Sequence, residues 1–102
     1  MTLYPASRDP NRCPAHPGAL LPEIIAATGR NKTEISRLLG ISRQHLYDLI
    51  GGVKPVSPTV AARLGKLFGG GPGSWLRMQA AYDAWHAERD VDVSDIPTLT
   101  AA

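Results

Sequence analysis

Residues 32–51, KTEISRLLGISRQHLYDLIG, restrict the fold of this chain more than any other segment. Apolar residues recur at helical spacing on both sides of Gly40, and Asn31 and Ser42 are good N-cap residues directly before the two runs. Gly40 adopts a positive φ at little cost and is suited to end the earlier helix. The segment predicts two short helices that cross steeply, with the small Ser36 where their backbones approach.

The apolar positions of this segment predict which helical faces are buried. On the earlier helix we expect Ile35, Leu38 and Leu39 to face the core, and on the later helix Leu46 and Leu49. The opposite face of the later helix is polar and is expected to face outward. This pattern is typical of a helix-turn-helix, although two amphipathic helices joined by a glycine turn also occur in helical bundles without that function.

A further helix is predicted before this segment, at residues 18–28, and Gly29 is suited to end it. Pro22 allows this helix to begin as late as Leu21, because proline is tolerated in the first turn and not further inside. Residues 1–15 are rich in proline and offer few apolar side chains, so we expect them to form a flexible N-terminal arm.

Two more helices are predicted after the segment. Ser57 is a suitable N-cap and Pro58 a favoured first-turn residue for the fourth helix, which GGGPG at residues 69–73 ends. Ser74 is the predicted N-cap of a fifth helix that continues to about Glu88.

The fold class follows from these elements and from the length. A chain of 102 residues has room for one domain, and no alternating strand pattern is longer than VDVSDI near its end. We therefore expect a compact five-helix, all-α domain at residues 16–89, followed by a short acidic tail at residues 90–102. No apolar run approaches the roughly 20 residues that span a bilayer, and no secretory signal is recognised, so we expect a cytoplasmic protein that does not contact membranes.

The charge is distributed unevenly along the chain. Residues 31–66 carry six basic and two acidic side chains, whereas residues 67–102 carry two basic and five acidic ones. A basic middle suits a polyanion, because phosphate contacts supply much of the affinity for nucleic acid. A set of solvated surface charges is the alternative that composition leaves open.

Metal, cofactor and catalytic sites are not expected. Cys13 and His16 have a metal-like spacing, but a zinc site needs four ligands, and we expect neither His45 nor His86 to lie nearby. The single cysteine also excludes an intrachain disulfide. With no glycine-rich phosphate loop and no nucleophile beside an acid-base pair, the sequence predicts a protein that is not an enzyme.

The outward face of the third helix is the predicted DNA-reading surface. Arg43 can donate two hydrogen bonds to guanine and Gln44 can pair bidentately with adenine, while Tyr47 lies one turn further along. The remaining DNA-contact candidates are the residues at the helix starts, on the second helix and after the third helix: Lys32, Thr33, Arg37, Ser42, His45 and Lys54.

The chain resembles the HigA/VapI family of antitoxins, within the larger Xre (lambda-repressor-like) group, over residues 16–87. The residues that carry the resemblance are HPG at 16–18, the helix-turn-helix, Ser57-Pro58, and SWLRMQAAYDAW at 74–85. The sequence departs from the family pattern at Lys32, which is usually Gln, at Ala19, which is usually acidic, and at Pro22. These departures concern the operator sequence and not the fold.

The resemblance implies a protein that binds double-stranded operator DNA as a homodimer, represses its own operon, and neutralises a small HigB-like toxin that cleaves translated mRNA. Trp75, Met78, Tyr82 and Trp85 form one stripe on the fifth helix, which is the candidate dimer or partner interface; core packing is the favoured use of its aromatic residues, and both uses can hold at once. Two other functions stay open: a solitary Xre-family regulator without a toxin, and a protein-interaction adaptor on the same scaffold.

Overall fold

The computed structural model describes residues 11–100, which form a short 3-10 helix and five α-helices with no strand in that range. The elements in chain order are the 3-10 helix Pro17–Leu20, α1 Leu21–Thr28, α2 Lys32–Leu39, α3 Arg43–Ile50, α4 Pro58–Phe68 and α5 Gly73–Asp90. The predicted five-helix, all-α class is confirmed. Residues 1–10 of the predicted arm lie outside the described residues, and no described helix is long and apolar enough to cross a membrane.

Side-chain caps begin three of the helices as the sequence predicts. The Asn31 side chain accepts a hydrogen bond from the Glu34 backbone N–H at 2.8 Å, and the Ser42 hydroxyl accepts one from the His45 N–H at 2.9 Å. Ser57 does the same for α4. Gly40 ends α2 with a φ of 74°, which confirms the glycine turn between the two crossing helices.

Side-chain patterns predicted the boundaries of α1 and α5 less well. The residues before Leu21 form a separate 3-10 helix, so α1 begins at the latest position that Pro22 allowed. The prediction that Ser74 caps α5 is wrong. Pro72 occupies the N-cap position without a side-chain hydrogen bond, because its restricted φ already suits the start of a helix, and α5 continues to Asp90.

One continuous core joins all five helices. Its buried apolar side chains are Leu21, Ile25, Ile35, Leu39, Leu46, Leu49, Val56, Val60, Ala61, Leu64 and Trp75. The prediction that Leu38 is buried is wrong, since 52% of this residue is exposed. Ile35 and Leu39, which are one turn apart, occupy the core-facing line of α2, and Leu38 is turned by one residue to its edge, beside Phe68.

The segment from His16 to Gly18 supports the end of α3. His16 Nδ1 accepts a hydrogen bond from the Gly18 backbone N–H at 3.0 Å and so caps the 3-10 helix. A β-carbon built on Gly18 would lie 1.6 Å from the Leu49 carbonyl oxygen, so only glycine fits between the two backbones. This close approach sets the position of the third helix relative to the start of the domain.

Burial lowers the pKa of His16 below its ordinary value, although Asp83 and a backbone hydrogen bond with Lys54 partly oppose this effect. The ring is also packed edge-on against Tyr82, with 5.0 Å between the ring centroids. A protonated imidazole cannot accept the hydrogen bond from Gly18. The folded state therefore favours neutral His16.

We expect this histidine to make the domain less stable in mild acid. Because the folded pKa is lower than the unfolded pKa of about 6.5, the stabilisation is complete above that pH and is lost as the pH falls below it. Urea unfolding at pH 7.5 and 5.5 should show a smaller pH effect in His16→Gln than in the wild type. An equal loss of stability in both proteins would contradict this assignment.

Candidate nucleic-acid interface

The first two turns of α3 present a polar, exposed face. Arg43, Gln44 and Tyr47 are all exposed, whereas Leu46 and Leu49 on the opposite side are fully buried. Since the buried leucines fix the rotation of the helix, the three polar side chains share the surface that the sequence predicts to read bases.

Two other predicted DNA-contact residues, Ser42 and His45, are less available to a ligand than Arg43, Gln44 and Tyr47. The Ser42 hydroxyl is exposed but already accepts the capping hydrogen bond, so it stays available to a ligand mainly as a donor. His45 is half-buried and lies at the side of the exposed face.

Asp48 holds two of the predicted DNA-contact residues, an arrangement that sequence reasoning missed. Gln44 Nε2 donates to Asp48 Oδ1 at 2.9 Å, and Lys54 Nζ lies 3.6 Å from Asp48 Oδ2. A base or phosphate must therefore compete with this carboxylate for both side chains. The i,i+4 spacing of Gln44 and Asp48 on a predicted helix was the available signal.

The second helix contributes cations at both of its ends. Lys32 is half-buried and Thr33 exposed in the first turn, and Arg37 is exposed in the last turn. The Thr33 carbonyl accepts a hydrogen bond from Ser36 Oγ at 2.8 Å, and the residue itself is exposed. These positions suit backbone contacts to a nucleic acid rather than base reading.

Arg63 on α4 fixes the turn between the two crossing helices. Its Nη1 donates to the Leu39 carbonyl oxygen at 2.8 Å and to the Gly40 carbonyl oxygen at 3.3 Å. These carbonyls belong to the end of α2, where no intrahelical donor is left to pair with them. In the sequence Arg63 was one of several cations in the basic middle, and only the fold identifies it as a positioning residue.

The aromatic stripe of α5 divides into a buried and a surface part. Trp75 is only 5% exposed and belongs to the core, as the favoured core-packing interpretation expects, so it leaves the set of interface candidates. Met78, Tyr82 and Trp85 are partly buried, and the Arg89 guanidinium lies 4.0 Å from the centroid of the Trp85 ring. These three residues remain candidates for a partner surface.

Cys13 and His86 are neighbours, contrary to the expectation that His86 would lie elsewhere. Cys13 Sγ is 3.5 Å from His86 Nε2, because residues 11–15 run beside α5. His16 faces the 3-10 helix and Tyr82 instead, so the spacing of Cys13 and His16 does not create a shared site. Within residues 11–100, no group of three or more His, Cys, Asp and Glu side chains is arranged to hold a metal ion.

Two curated relatives come from Dichelobacter nodosus. Virulence-associated protein I is 34% identical over 82 residues, which cover 78% of this chain and 76% of that protein. Virulence-associated protein A′ is 37% identical over 71 residues, or 69% of this chain, and the match spans 62% of the length of that relative, less than two thirds of it. No family model matches the chain.

Solved structures share the fold. Antitoxin GraA has a TM-score of 0.74 at 26% identity and covers 90% of this chain and 100% of its own. An addiction module antidote protein of a HigA family from Coxiella burnetii has a TM-score of 0.67 at 28% identity and covers 79% and 98%. PA4674 from Pseudomonas aeruginosa, solved with its operator DNA, has a TM-score of 0.67 at 25% identity and covers 72% and 82%. Since the relatives, the fold and the helix-turn-helix agree, the chain belongs to the HigA/VapI-type antitoxin family of Xre (lambda-repressor-like) helix-turn-helix proteins.

Proposed function

We propose that this protein is a cytoplasmic, sequence-specific DNA-binding antitoxin of a type II toxin-antitoxin system, without enzymatic activity of its own. As a dimer it represses its own operon and neutralises a HigB-like toxin that cleaves mRNA. The observation that supports DNA binding best is the exposed group Arg43, Gln44 and Tyr47 at the start of α3. Three contacts hold that helix in place. They are the N-cap by Ser42, the hydrogen bonds from Arg63 to the preceding turn, and the close packing of Gly18 against the Leu49 backbone.

The mode of binding follows from the geometry of the helix. In helix-turn-helix proteins the N-terminal residues of the recognition helix contact base edges in the major groove, while the preceding helix crosses the backbone. Arg43 and Gln44 are then the base readers. Lys32, Arg37 and Lys54 neutralise phosphates, and Lys54 exchanges Asp48 for a phosphate oxygen when DNA is bound.

A dimer is proposed because one recognition helix reads only half of a palindromic site, and two helices about 34 Å apart read both halves. The partly buried Met78, Tyr82 and Trp85 on α5 are the proposed contact surface for a second copy or for the toxin. The antitoxin and DNA-binding parts of the proposal are supported by two neighbours, an addiction module antidote protein from Coxiella burnetii and PA4674, which was solved with its operator DNA.

The central test is binding of the purified protein to its own upstream DNA and to a scrambled duplex, measured by fluorescence anisotropy across a salt series. We expect specific binding, with the logarithm of the association constant falling linearly with the logarithm of the salt concentration. Arg43→Ala should weaken binding to the upstream DNA by about 1–3 kcal/mol and leave binding to scrambled DNA nearly unchanged. Arg77→Ala, on the exposed side of α5, is the matched control and should bind as the wild type does.

Each part of the proposal can fail separately. Equal affinity for upstream and scrambled DNA would contradict sequence-specific repression, and one chain per operator at saturation would contradict the dimer. The toxin is tested by co-expressing the chain with the adjacent small gene. If that gene's product is not toxic alone, or if it stays toxic beside this protein, the antitoxin reading is wrong and a solitary regulator remains.

A further inference from the structure

A cysteine, a histidine and an aspartate contact one another in series on the side of α5. Cys13 Sγ lies 3.5 Å from His86 Nε2, and His86 Nδ1 lies 3.3 Å from Asp90 Oδ2. The thiol and the carboxylate thus occupy opposite nitrogens of one imidazole ring. The thiol also donates to the Pro14 carbonyl oxygen at 3.3 Å. When the thiol turns to His86, the ring can accept its proton while the carboxylate stabilises the imidazolium that forms.

Neighbouring residues hold the imidazole ring in this orientation. The centroid of the Tyr82 ring lies 4.4 Å from that of His86, and the Trp85 centroid lies 5.1 Å away. His86 and Asp90 are one helical turn apart on α5, so their pairing needs no tertiary contact, whereas Cys13 reaches them from the segment before the domain. The contact between Cys13 and His86 therefore forms only because residues 11–15 lie along α5.

In the free chain the thiol is open to small molecules, whereas a partner bound on the surface proposed above for Met78, Tyr82 and Trp85 would cover part of the same cleft. Cys13 is exposed and borders a cleft of about 430 Å³ whose other walls include Arg12, Met78 and Ala81. The volume is within the range of small-molecule sites, and Arg12 adds a positively charged residue to the lining of the cleft. Exposed cysteines next to a proton acceptor and a cation are the ones that react, whereas buried structural cysteines are inert.

We propose that Cys13, His86 and Asp90 form a thiol modification site, at which Cys13 forms a mixed disulfide with a small anionic thiol, such as a thiol-bearing peptide, supplied as its disulfide. His86 takes the proton from Cys13, and the thiolate attacks one sulfur of the incoming disulfide. The S–S bond of that disulfide breaks, a new bond forms between Cys13 and one half, and the other half leaves as a thiolate that takes up the proton. The exchange needs no further oxidant or reductant.

The test is the rate of adduct formation on the full chain with oxidised glutathione as the probe, followed by intact-protein mass at pH 7 and pH 9. Cys13→Ser should give no adduct. His86→Gln should react about tenfold or more slowly than the wild type at pH 7, because it lacks the base. At pH 9, where the solvent can take up the thiol proton without the imidazole, the two rates should converge.

The carboxylate has its own matched pair of variants. Asp90→Asn should slow the reaction at pH 7 by less than His86→Gln does, whereas Asp95→Asn, in the exposed tail, should leave the rate unchanged. Melting temperatures confirm that each variant is folded. Equal rates for wild type and His86→Gln at pH 7 would overturn the proposal, and so would a His86→Gln rate that stays tenfold lower at pH 9, since that would indicate blocked access rather than a missing base.

Discussion

Gly18→Ala is expected to destabilise the domain by about 3 kcal/mol or more, because the added methyl group overlaps backbone atoms of another helix. The new β-carbon would lie 1.6 Å from the Leu49 carbonyl oxygen and 2.5 Å from its carbon. Both neighbours are backbone atoms at the end of α3, so no side chain can move aside to relieve the clash, and the helices must separate. In a domain of this size we expect the melting temperature to fall by roughly 10–20 °C.

Gly29→Ala is the control for this prediction. Gly29 has a φ of 73°, so alanine there is strained, but a β-carbon would meet no atom within 4 Å. The strain alone is worth about 1 kcal/mol, so this variant should melt only a few degrees below the wild type. Thermal unfolding followed by circular dichroism separates the two effects. If both variants lose the same stability, the close contact between Gly18 and Leu49 does not govern the packing of α3.

Local signals in the sequence were sufficient to predict the helices and the face that carries the candidate site. Asn31, Ser42 and Ser57 cap their helices through bonds to residues three positions later, and such short-range chemistry can be read from the sequence. Leu46 and Leu49 likewise fixed which side of α3 faces outward. The resemblance added the family, which the segment from His16 to Gly18 and the pattern on α5 carried.

Contacts between distant segments could not be predicted in this way. Arg63 pairs with carbonyls 23 and 24 residues earlier, and Cys13 meets His86 across 73 residues, so no periodicity links them. Gly65 lies inside α4, where glycine costs helical stability. The backbone of Gly71 explains the glycine, because a β-carbon on residue 65 would lie 2.2 Å from the Gly71 carbonyl carbon. Leu38 and Trp75 show the same limit, because an amphipathic pattern does not say which apolar residue at the edge of a face is covered.

Gln79→Leu is the second substitution for which we expect a large effect, a loss of about 2–3 kcal/mol. Gln79 is 6% exposed, and its Oε1 accepts a hydrogen bond from the Val56 backbone N–H at 2.7 Å. Leucine has a similar volume but no acceptor, so the buried N–H of Val56 would be left without a partner. Because this bond ties α5 to the loop after α3, we also expect faster amide hydrogen exchange at Val56 in the variant.

The chain contains a matched control at Gln44. Both glutamines donate to an aspartate four residues later at 2.9 Å, Gln44 to Asp48 and Gln79 to Asp83, but only Gln79 also accepts from a buried backbone group. Gln44→Leu should therefore change the free energy of unfolding by less than about 0.5 kcal/mol in urea titrations. Equal losses in the two variants would assign the effect to the glutamine–aspartate pairs. A loss confined to Gln79→Leu would identify the bond to Val56 as the contact that holds the loop after the recognition helix against α5.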